Sequence, residues 1–174
     1  MIQLNFPELR QTFDYDCGAE VLQAVLVYYG REVSEEVVLK LAKTSKEEGT
    51  AISRILGTLE HFGLLFDKRV LTVGDLKMYI DRKIPVIILL QAWREEKIDY
   101  AKDFDDGHWV VVIGYDDDRI IFEDPYTFER SFLVEEELNE RWHGQEDGQA
   151  INHLGIAVYG PEPSYDPQKL IHMD

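Results

Sequence analysis

Three residue types with the spacing for nucleophilic chemistry stand out in this 174-residue chain: its only cysteine, Cys17; a histidine opening an apolar run, His108; and an aspartate followed by proline, Asp124. A thiol attacks as its thiolate, and with a free pKa of about 8.5 it is mostly protonated at neutral pH. Cys17 lies in QTFDYDCGAEVLQAVLVYYG, residues 11–30. There Val21, Leu22, Val25, Leu26 and Tyr29 recur at helical spacing, Asp14 and Asp16 are start signals, and Gly30 is a stop. The pattern predicts a helix over residues 17–29 with Cys17 at its first position. A thiolate there faces unpaired N–H groups carrying partial positive charge, and Gly18 leaves room for a substrate carbonyl. Asp14 and Asp16 act the other way, raising the thiol pKa, so a nucleophilic Cys17 needs a cationic partner, in practice a histidine. A lone cysteine is more often a small buried hydrophobe, so the case rests on its company.

Gln11 stands six residues before the cysteine, and its side-chain amide could donate to an oxyanion beside the Cys17 backbone N–H. Standing alone it would be a surface glutamine. His108 begins HWVVVIGY and Asp124 ends RIIFED, two strands joined by Asp116, Asp117 and Asp118. A hairpin folded about Asp116 sets His108 opposite Asp124, where the carboxylate can accept from an imidazole nitrogen. That contact fixes the tautomer and stabilises the imidazolium, the orienting role in a nucleophile–base–acid triad. A one-residue slip would put the two on opposite faces, and the bland alternative is that Asp124 only begins an Asp-Pro turn. His61, His143, His153 and His172 have no carboxylate placed as well by a regular element.

The elements that must position these residues read as α+β, helices first and then a mostly antiparallel sheet. Helices are expected over residues 17–29, 34–42 with Ser34 as cap, 50–62, 73–82 and 135–142. Strands are expected over residues 64–70, 86–92, 108–115, 119–124, 130–134 and 151–159. Residues 94–107 form a long polar connection leading into His108, and such loops are often functional. A single domain over residues 1–160 with a tail over 161–174 accounts for the whole. The formal net charge of −16 argues against nucleic acid, whose phosphates need clustered Lys and Arg. No apolar run reaches the roughly 18 residues of a membrane span, no signal peptide is visible, and one cysteine allows no intramolecular disulfide, so the expected compartment is the cytoplasm. No metal or cofactor is expected: DFDDGH departs from the calcium-loop spacing, no Cys/His cluster suits zinc, and nucleotide loops are missing. Trp93, Trp109 and Trp142 are expected in the core or as cleft walls.

QTFDYDCGA, GHWVVVIGY and FEDPY together resemble the papain-like cysteine peptidases of the bacteriocin-processing, double-glycine leader type. That family carries a glutamine six residues before a D-C-G cysteine, then a histidine at the head of an apolar strand, then an Asp-Pro closing the next. The resemblance spans about residues 6–158. It implies a papain-like fold, with Cys17 as nucleophile, His108 as base, Asp124 as orienting acid, and Gln11 with the Cys17 amide as oxyanion hole. It also implies a peptide or protein substrate. Many family members are domains of a membrane exporter; no membrane segment follows here, which points to a stand-alone form without an implied export leader. The expected activity is hydrolysis of a peptide or amide bond through a thioester. An acyltransferase would pass the same thioester to an amine, and a silent peptide-binding module would keep only the groove.

Overall fold

The computed structural model describes residues 1–94 and 98–173. A two-residue strand β1, Ile2–Gln3, precedes the helices α1, Cys17–Tyr28, α2, Glu35–Ala42, and α3, Ile52–His61. Then follow β2, Leu65–Val70, α4, Val73–Asp81, β3, Val86–Gln91, β4, Gly107–Tyr115, and β5, Arg119–Glu123. The chain continues through β6, Ser131–Val134, α5, Glu135–Arg141, β7, His143–Glu146, β8, Gln149–Asn152, and β9, Leu154–Tyr159. The α+β class expected from the sequence, with N-terminal helices and a mostly antiparallel sheet, is seen.

One sheet runs in the order β2-β9-β3-β4-β5-β6, every pairing antiparallel. β1 joins β4 at Gly114 and Tyr115, beyond the end of β3. Central strands buried on both faces need continuous apolar runs, and VIILLQ in β3 is buried at all six positions. α1 packs on β4 and is nearly all buried, from Cys17 to Tyr28. α2 and α3 pack beside it, and α5 lies against β3, β5 and β6. α4 begins with a capping box: Thr72 accepts from the Asp75 N–H while Asp75 accepts from the Thr72 N–H, satisfying two orphan donors at once.

The strand expected over residues 151–159 is divided. His153, at φ 51°, breaks it, leaving β8 to pair with β7 in a separate two-stranded sheet and β9 to enter the main one. A left-handed residue ends strand geometry locally, and histidine, with asparagine and aspartate, is among the non-glycine types that adopt it more often. Residues 161–173 hold no helix or strand, yet the Ser164 and Tyr165 N–H groups both donate to the Tyr28 carbonyl. Among the described residues no helix is long and apolar enough to cross a membrane.

Candidate active site

α1 begins at Cys17 itself. The carbonyl of Asp16 takes the N–H groups of Ala19 and Glu20, and those of Cys17 and Gly18, the first two in the helix, have no intrahelical acceptor. The Asp16 side chain does not cap the helix. It turns back and accepts from the Thr12 and Phe13 N–H groups at 3.2 and 3.0 Å, shaping the loop that leads to the cysteine. Gly18 is required by close packing: a Cβ there would lie 2.5 Å from Thr50 Cβ and 3.0 Å from the Trp109 ring.

His108, in the second position of β4, is 7% exposed. Its Nε2 lies 2.7 Å from Asp124 Oδ1. An ionised carboxylate only accepts, so Nε2 carries the proton and Nδ1 is left for the thiol. The Cys17 side chain is within hydrogen-bonding reach of the ring. Burial pulls the imidazolium pKa down, but hydrogen bonds and charge from Asp124 and Cys17 outweigh it and hold the ring up at about 9. The structure thus brings Cys17, His108 and Asp124 together.

The hairpin register differs from the expected one. Val111 faces Glu123 and Val112 faces Phe122, with a bulge between Val112 and Gly114. Continued by one step, the ladder sets Asp124 beside Val110, so His108 and Asp124 are diagonal neighbours rather than directly opposed. Diagonal residues share a face and remain in reach of long side chains.

Asp124 has four donors. Oδ1 accepts from His108 and, at 3.0 Å, from the Tyr126 N–H; Oδ2 accepts from Trp93 Nε1 and Ser131 Oγ, each at 3.0 Å. The Tyr126 contact is an Asx-type turn, so the carboxylate both shapes the Asp-Pro turn and holds the histidine. Burial pushes the Asp124 carboxyl up; the His108 hydrogen bond and charge, the Tyr126 N–H and the Ser131 hydroxyl outweigh it and leave it below its ordinary value. Trp93, Tyr126 and Ser131 were not expected at the site. Trp93 is traceable in sequence, standing two residues after β3, whose Leu90 pairs with His108. The Trp93 and Tyr126 rings stack at 4.9 Å.

Gln11 is tied to the same strand end. Its N–H donates to the Pro125 carbonyl at 3.0 Å, and just before it the Leu9 N–H donates to Glu123 Oε1 at 2.8 Å. Glu123 is itself buried in ion pairs with Arg10 and Arg130. Three consecutive residues, Glu123, Asp124 and Pro125, therefore anchor the segment bearing Gln11 and orient His108. The Gln11 side-chain Nε2 donates to the Phe13 carbonyl at 2.7 Å, leaving its second N–H uncommitted.

A cleft of about 650 Å³ opens beside Cys17. Residues from 14–17, 46–53, 104–109 and the β7–β8 hairpin line it, including Phe104, Asp105 and Gly107 of the long polar connection. Of that connection, residues 95–97 lie outside the described residues. Trp109 walls the cleft as expected, its Nε1 donating to the Thr50 carbonyl, while Trp142 is fully buried. Among the described residues no group of three or more His, Cys, Asp or Glu is placed to hold a metal ion.

The family model of the Peptidase C39 family matches residues 5–145, most of the chain, a range within which Gln11, Cys17, His108 and Asp124 all fall. The chain belongs to the Peptidase C39 family. It is accordingly a cysteine peptidase. Among solved structures the chain is similar to the peptidase domain of Streptococcus ComA, a bi-functional ABC transporter of a quorum-sensing pathway. The TM-score is 0.68 at 22% identity, covering 92% of this chain and 99% of that one. It is also similar to a double glycine motif protease from an AMS/PCAT transporter, solved with its leader peptide. That match has a TM-score of 0.67 at 20% identity and covers 93% and 94% of the two chains. A Bacillus anthracis protein described as a C39-like peptidase matches with a TM-score of 0.66 at 15% identity, covering 90% and 96%. At such identities the likeness establishes the fold. No curated protein matches the chain.

Proposed function

We propose that this C39 peptidase cleaves peptide bonds by nucleophilic catalysis at Cys17. The single observation that carries the reading is the His108 ring, with Asp124 Oδ1 on Nε2 at 2.7 Å and the Cys17 side chain interacting with the same ring. His108 takes the thiol proton, and the thiolate attacks the scissile carbonyl. The oxyanion is held by the Cys17 N–H and by the uncommitted N–H of Gln11, donors whose worth is greatest in a dry, preorganised site. As the C–N bond breaks, the imidazolium returns its proton to the leaving amine and a thioester remains. Water, losing its proton to His108, then hydrolyses the thioester and restores the thiolate. Asp124, fixed by Trp93, Tyr126 and Ser131, keeps Nε2 protonated and stabilises the imidazolium throughout. A peptide substrate suits a cleft of this size beside the nucleophile, and the structural neighbour bound to a leader peptide supports that class. A reducing compartment such as the cytoplasm would keep the thiol active.

The test is the pH dependence of Cys17 alkylation by iodoacetamide. A thiolate paired with His108 gives a reactive plateau well below the free-thiol value of about 8.5, lost in His108→Ala. A single transition at that value, unchanged in His108→Ala, would overturn the proposal.

A further inference from the structure

The walls of the cleft are unevenly charged. Asp14, Glu48, Asp105, Glu146 and Asp147 line it from separate segments, and among the described residues Lys46 is the only basic one that lines it. Glu146 has work inside the fold: its Oε1 accepts the Ile52 N–H at 2.7 Å, capping α3 from a distance. On the polar connection Asp103 and Asp106 are paired with Arg94, at 3.6 and 3.1 Å. Asp105, between them, is exposed and has no ion pair among the described residues, and the same holds for Asp14, Glu48 and Asp147. Four carboxylates thus line one cleft from separate segments without an ion-pair partner among the described residues.

Like charges around a cleft with low-dielectric walls concentrate their field within it and raise the local concentration of ligands of opposite sign. The cleft contains the nucleophile, so what it concentrates is the substrate. Resting on the peptidase reading above, we infer that this enzyme selects cationic peptides, with lysine or arginine flanking the bond it cuts. An acidic segment in the same place would meet repulsion from every wall, which is discrimination by exclusion as well as attraction. The net charge of −16 adds long-range steering of the same sign.

The experiment uses peptidyl acyloxymethyl ketones of one length, differing only in whether the residues two to four positions from the electrophile are Lys, Gln or Glu. Labelling of Cys17 is followed by mass spectrometry. We expect the Lys probe to label faster than the Glu probe by about tenfold or more at low salt, the gap closing as the Debye length shrinks to about 3 Å at 1 M. In the double variant Asp105→Lys with Asp147→Lys, both sites being exposed, the Lys rate falls, the Glu rate rises and their ratio approaches one. Equal, salt-independent rates for Lys and Glu probes would overturn this inference while leaving the peptidase reading intact. Failure of every probe to label Cys17, with iodoacetamide still reacting, would overturn both.

Discussion

Replacing Glu20 by glutamine should make the protein more stable at neutral pH than the wild type. Glu20 lies on the first turn of α1, one helical turn from Cys17, and is 3% exposed. Its Oε1 has no hydrogen-bond partner, and nearby Asp16 and Glu35 each leave one buried oxygen unpartnered too. Burial first, then the charges of Glu35 and Asp16, push the Glu20 pKa up to about 8 from 4.5. Below pH 4.5 both folded and unfolded chains hold the proton, so the group costs nothing. Between 4.5 and 8 the unfolded chain releases it while the folded chain keeps it, and stability falls as pH rises. The loss is about 1.4 kcal/mol per pH unit, roughly 5 kcal/mol by pH 8 at the full shift. His108, also raised, loses its stabilising contribution only between 6.5 and about 9, so it does not contribute from pH 5 to 6.5. Glutamine mimics the neutral acid in shape and cannot ionise. Urea unfolding followed by the fluorescence of the three tryptophans should show the stability gap between variant and wild type widening by about 2 kcal/mol across that window. With a denaturant slope near 2 kcal/mol/M, the midpoints separate further by about 1 M. Titrating groups that do not interact with Glu20 are common to both proteins and cancel in the difference. A gap constant from pH 5 to 6.5 would refute the reasoning, because Glu20 would then ionise alike in both states. The functional logic is local: a neutral Glu20 does not oppose a thiolate one turn away.

Asp124→Asn should fold normally, lower the His108 pKa from about 9 and reduce turnover in part, because an amide can offer the imidazole an N–H where it needs an acceptor. An NMR titration showing an unmoved His108 pKa would mean that the carboxylate does not stabilise the imidazolium. Gln11→Ala should keep Cys17 alkylation at the wild-type rate while turnover of a cleaved peptide falls by about 10²–10³; unchanged turnover would reduce Gln11 to a loop residue that bonds Phe13.

Much of this architecture can be read from residue types alone. α1 begins at Cys17 because apolar residues recur every three or four positions beyond it, and Gly30, at φ 73°, supplies the left-handed residue that ends helices. β3 is recognisable as a run too apolar for any exposed strand. The β7–β8 hairpin was not readable, since HGQE has neither apolar alternation nor β-branched residues. Its place depends on contacts distant in sequence, such as the Glu146 cap on Ile52 and the close approach of Gly144 to Leu89. Of the four donors to Asp124, Trp93 could be traced only to the neighbourhood of the site by its place after β3, and its contact was hidden because it is made from a non-glycine position at φ 67° that no propensity favours.

The hairpin register shows why the site was legible although the count was not. The pairing is centred later than expected: Tyr115 pairs with Ile120, and the Asp116 N–H donates to the Arg119 carbonyl. Extended unchanged down the ladder, that pairing would set Asp124 opposite Val111, on the face of β4 away from His108. The bulge between Val112 and Gly114 inserts one residue into β4 and shifts the pairing by one, so Val110 becomes the neighbour of Asp124. Because side chains alternate with period two, a single inserted residue returns Asp124 to the face of His108. The extra residue, Ile113, is fully buried, and its carbonyl is taken by the Leu4 N–H at 2.8 Å. β1 beside it therefore helps to hold the bulge. The sequence-based register was wrong by two residues, an even number, and so preserved the face while misplacing the partner. The His108–Asp124 contact thus depends on an irregularity some five residues away in β4, supported by the first four residues of the chain.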